Sequence, residues 1–303
     1  MYNGIINIRK EKGFTSHDVV AKMRGILRQK KIGHTGTLDP DATGVLPVCL
    51  GNATKLCDML TGHEKEYIAT LKLGITTTTQ DISGEVLTEK EVSISEEEIR
   101  SVIASFIGEK EQIPPMYSAI KIDGKRLYEL ARSGKEVERK PRPVTFYEIE
   151  VLSVDMPCLT IRVLCSKGTY IRTLCHDIGQ KAGCGAVMTA LERTRSGSFD
   201  ISTAITLQEL EKLRDEDGID RVLIPTREMF ADLKDEYVPE KYLKQVKNGN
   251  AFPPGNGGKK EIYADGEKVR VLDKTGIFYG VYVFDGDRGI LKPYKMFFDG
   301  ENE

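Results

Sequence analysis

The fold is decided by the stretch Gly33-His34-Thr35-Gly36-Thr37-Leu38-Asp39-Pro40-Asp41-Ala42-Thr43-Gly44. Its three glycines, three threonines and two aspartates are typical of a tightly folded loop and unfavourable for a regular helix or strand. Loops of this kind commonly carry binding or catalytic groups on a rigid scaffold. The stretch therefore makes Asp39 the first candidate functional residue.

Two metal-dependent interpretations fit part of this loop. Residues 39–44 match the first half of a calcium-binding EF-hand loop, but the twelfth position, which should be glutamate, is Leu50. The pattern Asp-x-Asp-x-Thr also resembles the nucleophile loop of haloacid-dehalogenase-type phosphotransferases, which use magnesium. In that family the loop follows a buried apolar strand, and residues 31–38 are too polar to supply one. Asp39 alone does not separate these interpretations.

A longer comparison favours a third interpretation. Residues 33–47 closely resemble the catalytic signature of the TruB-type tRNA pseudouridine synthases. Further segments resemble motifs of that family in the same order and spacing: a tyrosine motif at 62–67, the RNA-gripping insertion of bacterial members at 113–143, an arginine motif at 166–174 and a closing motif at 191–199. The resemblance extends over residues 4–200. It departs from the family at residues 10–13, where Lys-Glu-Lys-Gly replaces the usual Lys-Pro-x-Gly.

This resemblance implies that the protein isomerises uridine 55 in the T-loop of tRNA to pseudouridine, without a cofactor or a bound metal. It makes Asp39 the nucleophile, Arg172 its cationic partner, and Tyr67 the residue that stacks on the flipped uridine and moves a proton. The other implied substrate contacts are base stacking by His34, pocket contacts by Tyr170 and Leu191, phosphate contacts by Lys10 and Lys167, and an RNA contact by Asp81. An Asx turn explains Asp81 equally well. Attack at C1′, addition at C6 and a glycal route all stay open.

The order of predicted elements indicates an α+β fold with a mixed, largely antiparallel central sheet, and the resemblance implies the pseudouridine synthase fold. Residues 5–8 and 67–73 have the pattern of strands. Residues 146–154 and 159–166 predict an antiparallel hairpin, followed by a helix near Thr169. Ser16 is placed to cap an earlier amphipathic helix.

The chain is predicted to divide into a catalytic domain at residues 1–234 and a small β-rich domain at residues 235–303. In the second part, Pro239 is placed to open a short helix, and short apolar runs alternate with Asp-Gly and Thr-Gly turns. This part resembles a PUA RNA-binding domain.

The charge distribution is uneven. The net charge of −2 is unusual for an RNA-binding protein, but residues 117–143 hold eight basic and four acidic side chains, a local balance of +4. A solvated face and an RNA-binding surface both explain this run. The six cysteines form no CxxC pair, so a zinc site and a disulfide framework are not indicated. With no apolar run of membrane-spanning length and no secretory signal pattern, we predict a cytoplasmic monomer.

Two other functions remain open from the sequence. The chain could be the catalytic subunit of an RNA-guided pseudouridylase, although that type is not expected to carry the insertion at 113–143. It could also be a noncatalytic RNA-binding or RNA-folding protein on the same fold. The retention of Asp39, Tyr67 and Arg172 favours catalysis but does not exclude a second role in RNA folding.

Overall fold

The computed structural model describes residues 1–118, 120–122, 124–255 and 263–298. Its strands are β1 (Gly4–Lys10), β2 (Ile32–His34), β3 (Thr43–Leu50), β4 (Lys65–Leu73), β5 (Ile75–Thr77), β6 (Val86–Glu89), β7 (Gly108–Gln112), β8 (Lys121–Ile122), β9 (Lys125–Arg126), β10 (Arg142–Asp155), β11 (Cys158–Cys165), β12 (Ala186–Ser196), β13 (Phe199–Asp200), β14 (Lys234–Tyr237), β15 (Lys268–Leu272), β16 (Phe278–Asp285) and β17 (Ile290–Met296). Its helices are α1 (Ser16–Leu27), α2 (Cys57–Thr61), α3 (Glu96–Ala104), α4 (Leu127–Arg132), α5 (Ile171–Lys181), α6 (Leu207–Asp215) and α7 (Leu243–Lys247). Within this described part, no helix is long and apolar enough to cross a membrane.

One large sheet organises the molecule. Its strands lie in the order β1-β3-β12-β4-β11-β10-β7, with β2 paired to β3 and β13 paired to β12. Neighbouring strands are antiparallel except β12 and β3, which run parallel with Arg193 opposite Gly44. The predicted α+β class with a mixed, largely antiparallel sheet is confirmed.

The centre of the sheet buries one face. In β4, Tyr67, Ala69, Leu71 and Leu73 are buried while the residues between them are less so, because successive strand side chains point to opposite faces. Helices α3 and α5 cover this face and complete an apolar core. The predicted hairpin is present as β10 and β11. Strand β4, which carries Tyr67, is thus hydrogen bonded on one edge to β12 and on the other to β11, and α3 and α5 cover one of its faces.

The β1 and β3 end of the sheet is buried on both faces. Helices α1 and α6 pack against Ile6, Ile8 and Leu46 on one side. Residues of the C-terminal part pack against Ile5 and Val45 on the other. Strands covered on both faces carry nearly continuous apolar runs instead of alternation, as these two strands do.

The predicted cap of α1 is wrong by one residue. Thr15, not Ser16, caps α1: its hydroxyl accepts from the Asp18 backbone N–H at 3.0 Å, and the Asp18 carboxylate accepts from the Thr15 N–H at 2.8 Å. The hydroxyl of Ser16 instead accepts from the Leu38 N–H at 2.9 Å. The helix predicted to begin near Thr169 is present as α5, with Tyr170 as its N-cap.

A second sheet forms the β-rich C-terminal domain. Its order is β14-β15-β16-β17, with β14 and β15 parallel and the other pairs antiparallel. Asn52 donates to the Phe297 carbonyl at 2.8 Å, and Lys55 donates to the Met296 carbonyl at 2.8 Å, which joins this sheet to the turn after β3. The boundary between residues 234 and 235 and the likeness to a PUA domain stay predictions. Residues 256–262 and 299–303 lie outside the described part.

The insertion at 113–143 contains the short hairpin β8 and β9, followed by α4. Lys125, Lys135, Lys140 and Arg142 expose their side chains. The side chains of three other basic residues of the run, Lys121, Arg126 and Arg132, lie outside what the structure describes.

Candidate active site

The loop that carries Asp39 joins β2 to β3 and is shorter than predicted, because β2 includes His34 and β3 begins at Thr43. Long-range hydrogen bonds hold residues 35–42. The Leu38 N–H donates to the Ser16 hydroxyl, and the Gly13 N–H donates to the Pro40 carbonyl at 2.9 Å. The start of α1 and the turn before it therefore fix both neighbours of Asp39.

Arg172 and Asp39 form a two-contact ion pair. The Arg172 Nε lies 3.0 Å from Asp39 Oδ2, and its Nη2 donates to Asp39 Oδ1 at 3.3 Å. The side chain of Arg172 is 5% exposed, whereas that of Asp39 is 39% exposed. Parallel contacts of this kind fix the orientation of a carboxylate as well as its charge. The arginine is thus buried within the protein, whereas the carboxylate stays accessible to a ligand.

Arg172 also binds three groups besides Asp39. Its Nη1 donates to Asp81 Oδ2 at 3.3 Å and to the Thr79 carbonyl at 3.2 Å, and its Nη2 donates to the Tyr117 carbonyl at 2.8 Å. Asp81 closes an Asx turn as well, since its Oδ1 accepts from the Ser83 N–H at 3.0 Å. Asp81 is therefore committed to Arg172 and to its own turn, which leaves it little capacity for the RNA contact that the resemblance implies.

Burial raises the pKa of Asp39 above its usual range, and Arg172 is the main influence that lowers it. Asp81 and Asp41 add smaller upward effects on this pKa, while Lys10 adds a smaller downward one. A half-desolvated carboxylate is a better nucleophile than a fully hydrated one, provided that a cation keeps it ionised. Arg172 supplies that cation.

An apolar wall lies beside the ion pair. Tyr67, Leu38 and Leu191 share one buried cluster with the start of α5. Burial raises the pKa of Tyr67, and the nearby Arg193 guanidinium is the main opposing influence. The pKa of Tyr170 is likewise raised by burial. The charge of Asp39 adds a smaller upward effect to the pKa of both tyrosines.

The remaining predicted contact residues surround this centre. His34 ends β2, accepts from the Gly36 N–H at 3.3 Å, and packs edge-on against His17 at 5.6 Å between ring centroids. Burial, and then the neighbouring His17, lower the pKa of His34, which favours a neutral ring. Lys167 is exposed in the turn that precedes α5. The structure thus pairs Asp39 with Arg172, places Tyr67 and Leu191 in one buried cluster with the start of α5, and leaves Lys167 exposed in the turn before that helix.

Lys10 does not occupy a position suited to a phosphate contact. It is 0% exposed, and its ammonium donates to the carbonyls of Glu11, Phe14 and Pro40 at 3.1, 2.6 and 3.0 Å. Burial lowers its pKa to about 8, against the attraction of Asp39 and other acids. All three protons of the ammonium are donated to carbonyl groups, one of which is that of Pro40 next to Asp39. Lys10 therefore stabilises the Asp39 loop instead of reaching the solvent.

Lys10→Met is expected to lower the free energy of unfolding by about 1–3 kcal/mol, because three partly buried hydrogen bonds from a charged donor are lost. The salt dependence of tRNA binding should stay unchanged. Urea unfolding and binding titrations at several salt concentrations measure both quantities. Lys12→Met is the matched control, since Lys12 is exposed two residues away. A binding slope reduced by about one phosphate contact in Lys10→Met would restore the phosphate assignment.

Arg193 is a buried cation close to Tyr67 that the sequence did not single out. It is 1% exposed, and its Nε donates to the Val45 carbonyl at 2.7 Å. Gly44, with φ of +103°, lies against it, and a Cβ there would be 2.2 Å from the Arg193 carbonyl oxygen. A side chain at position 44 would therefore separate β12 from β3. The only sequence signal for Arg193 was its place within the 191–199 motif.

The calcium interpretation fails on the same geometry. Three of the EF-hand ligand positions would fall on Val45, Pro47 and Leu50, which lie within β3, with Val45 and Leu50 in its apolar core. A strand in this position cannot wrap around an ion.

The chain is similar to known proteins over most of its length. Residues 24–171 match the family model described as TruB family pseudouridylate synthase (N terminal domain). The chain belongs to the TruB family. Residues 172–231 match the tRNA pseudouridylate synthase B C-terminal domain. This second match begins inside α5 and contributes β12 to the central sheet, so the two TruB segments build one sheet and one site. The predicted membership and the enzyme class, a pseudouridine synthase, are confirmed.

Relatives and solved structures extend over most of the chain. The tRNA pseudouridine synthase B of Alkaliphilus oremlandii is 54% identical over 82% of this chain and 82% of its own. That of Lachnoclostridium phytofermentans is 47% identical over 97% of this chain and 99% of its own. The structure of an H/ACA RNP bound to a substrate RNA containing 2′-deoxyuridine is similar with a TM-score of 0.70 at 27% identity, covering 98% of this chain and 86% of the matched one. A Cbf5-Nop10-Gar1 complex gives 0.69 at 30%, covering 97% and 84%. The predicted pseudouridine synthase fold is confirmed.

Proposed function

We propose that this protein converts uridine 55 in the T-loop of tRNA to pseudouridine, with Asp39 as the nucleophile. The observation that carries the proposal is the accessible Asp39 carboxylate held by the buried Arg172 beside an apolar wall. The names of the relatives, tRNA pseudouridine synthase B, support tRNA as the substrate.

The reaction breaks the bond from ribose C1′ to uracil N1 and forms a bond from C1′ to C5. It is redox neutral and transfers no phosphoryl group. In the route that we place first, Asp39 attacks C1′, uracil leaves through N1 and turns, and C5 displaces the carboxylate. The proton on C5 is then lost, and N1 gains one. Arg172 keeps Asp39 ionised for the first step and stabilises it again as the leaving group in the second.

Tyr67 is our candidate for holding the turning base. Its ring lies in the apolar wall and offers a stacking face for an extruded uracil. Its buried hydroxyl stays protonated near neutral pH, so it would first give its proton to N1 and, as a transient phenolate, then take the proton from C5. The positive charge of Arg193 would stabilise this phenolate. We assign an apolar contact to Leu191 and a hydrogen bond near Asp39 to Tyr170.

We assign the RNA contacts outside the pocket to His34, to Lys167 and to the insertion. The neutral ring of His34 would stack where the flipped uridine leaves a gap. Lys167 and the exposed basic side chains of the insertion would bind phosphates, whose neutralisation dominates RNA affinity. Lys10 and Asp81 are left out of the RNA contacts on the grounds given above.

Replacing Lys125, Lys135, Lys140 and Arg142 together by glutamine should weaken tRNA binding and reduce its salt dependence. Each lost phosphate contact lowers the slope of log K against log salt by roughly 0.7–0.9, so four contacts give about 3. Titrations at several salt concentrations measure this slope. Lys212 and Arg221, which expose 78% and 69% of their side chains outside the insertion, serve as matched control positions. Equal slopes for the quadruple variant and the wild type would show that these four side chains are only hydrated and do not bind phosphates.

One assay tests the proposed function. The purified protein is incubated with an unmodified tRNA transcript, refolded beforehand, in buffer with EDTA and without nucleotides or guide RNA. Pseudouridine is then mapped at nucleotide resolution. We expect stoichiometric product at position 55 alone. Product at another position would refute the substrate assignment, and a requirement for a guide RNA would favour the RNA-guided subunit. Binding without product would favour the noncatalytic alternative.

A further inference from the structure

Gln112 connects the insertion to the active site. It is the last residue of β7, immediately before the insertion, and its side chain is 4% exposed. Its Oε1 accepts from the Tyr170 backbone N–H at 2.8 Å, and its Nε2 donates to the Tyr170 carbonyl at 3.1 Å. The side-chain amide therefore pairs with Tyr170 as a neighbouring backbone would in a sheet. The proposed mechanism gives Gln112 no role.

Tyr170 is a sensitive place for such a pair of bonds. It is the N-cap of α5, it has no side-chain cap of its own, and its carbonyl also accepts the helical bond from the Leu174 N–H. A helix start without a side-chain cap leaves its first residues free to fray. Arg172 lies in this first turn. The amide of Gln112 thus supplies the anchor that the sequence around Tyr170 lacks, two residues from the arginine that holds Asp39.

The beginning of the insertion contacts the same two residues a second time. The Tyr117 carbonyl accepts from Arg172 Nη2 at 2.8 Å. The hydroxyl of Ser118 lies beside the phenol of Tyr170 and lowers its pKa against the effect of burial. The first residues of the insertion therefore line the backbone of Tyr170, its side chain and the guanidinium of Arg172.

We propose that Gln112 is a positioning residue, which ties the RNA-gripping insertion to the Arg172–Asp39 ion pair. The proposal rests on the proposed function, in which this pair carries the chemistry. Residues 112–118 join the insertion to the first turn of α5, so a displacement of the insertion from this position would displace Arg172 and the ion pair with it. Loss of the amide leaves Asp39 and Arg172 present but misaligned.

Gln112→Met keeps the length and bulk of the side chain and removes both hydrogen bonds. We expect the single-turnover rate constant at saturating tRNA to fall about 10- to 100-fold, because displacements of about 1 Å in a reacting group have effects of this size. The dissociation constant for tRNA should change less than twofold. Gln112→Glu keeps the acceptor for the Tyr170 N–H and loses the donor. Its single-turnover rate constant should lie between those of Gln112→Met and the wild type.

The pH profile separates positioning from a general loss of structure. Arg172 lowers the pKa of Asp39, so a displaced Arg172 lets this pKa rise and moves the acid limb of the single-turnover rate to higher pH. A smaller active fraction would lower the rate equally at every pH. The charged groups that influence the pKa of Asp39 are Arg172 from α5, Asp81 from the loop after β5, Lys10 from β1 and Asp41 from its own loop, and the charge of Asp39 in turn affects the phenols of Tyr67 and Tyr170. Of these groups, only Arg172 and Tyr170 lie in the segment that loses its anchor in the variant.

Glu109→Met is the matched control, because it places the same side chain at an exposed position of β7. It should keep the wild-type rate and pH profile. A wild-type rate and pH profile in Gln112→Met would overturn the positioning role, as would a lowered rate with an unmoved acid limb. Failure of the wild-type protein to form pseudouridine at position 55 would instead refute the proposed function.

Discussion

Asp39→Asn is expected to abolish pseudouridine formation, with a rate loss of at least about 10⁴-fold, the scale seen when a member of a catalytic nucleophile system is removed. Asparagine has the shape of aspartate but cannot attack C1′ as a carboxylate. Burial raises the pKa of Asp39, so its charge destabilises the folded state, and the neutral amide should not lower the free energy of unfolding by this route. Single-turnover assays and urea unfolding measure the two effects.

The control for this variant lies two residues away. Asp41 is exposed in the same loop, and Asp41→Asn makes the same chemical change without touching the ion pair. It should retain most of the activity. Affinity for tRNA should change less than twofold in both variants, because neither removes a cation or a stacking surface. Measurable turnover by Asp39→Asn, after exclusion of wild-type contamination and deamidation, would remove Asp39 from the role of nucleophile.

The second large effect is expected for Arg172→Met. This variant removes the cation that holds Asp39 and leaves the Asp81 carboxylate and two carbonyls without their donor. We expect a rate loss of about 10³-fold and an acid limb moved to higher pH. The free energy of unfolding should fall by about 3 kcal/mol, the lower end for a broken buried ion pair, because Asp39 is 39% exposed.

Arg162→Met provides a matched control. Arg162 also binds several carboxylates, those of Glu66, Glu148 and Glu150, but it is 35% exposed on the outer face of the sheet. Surface pairs contribute about 1 kcal/mol or less, so this variant should be nearly as stable and as active as the wild type. Comparable losses in the two arginine variants would mean that the effect of Arg172→Met reflects general electrostatics rather than catalysis.

Local patterns in the sequence predicted the elements but not all of their ends. The alternation from Tyr67 to Leu73 and the hairpin of β10 and β11 follow from residue spacing, and the structure contains both. The error at the start of α1 was avoidable, since Thr15 and Asp18 have the spacing of a capping box whereas Ser16 is followed at that spacing by Val19. Ser16 instead accepts a hydrogen bond from the N–H of the distant Leu38, and this contact is visible only in the structure.

The site was predicted to the extent that its residues lie in recognisable motifs. Asp39 and Arg172 come from separate motifs, and their contact agrees with the expected pairing. The environments of Lys10, Arg193 and Gln112 were not predicted, because each of them bonds to backbone groups of at least one distant segment. A buried lysine and an exposed lysine have the same letter in the sequence. The distinction depends on which carbonyls the fold brings within 3 Å, and no local pattern encodes that.

The parallel pairing of Gly44 in β3 with Arg193 in β12 limits how early during synthesis on the ribosome the site can form. The Asp39 loop leaves the ribosome early, but the arginine that binds the carbonyl of Val45 follows 148 residues later. At ordinary rates of bacterial and eukaryotic translation this interval is roughly 7–30 s. A nascent chain therefore carries the Asp39 loop during the synthesis of these 148 residues without the strand that supports it, and the candidate site can form only after β12 has left the ribosome.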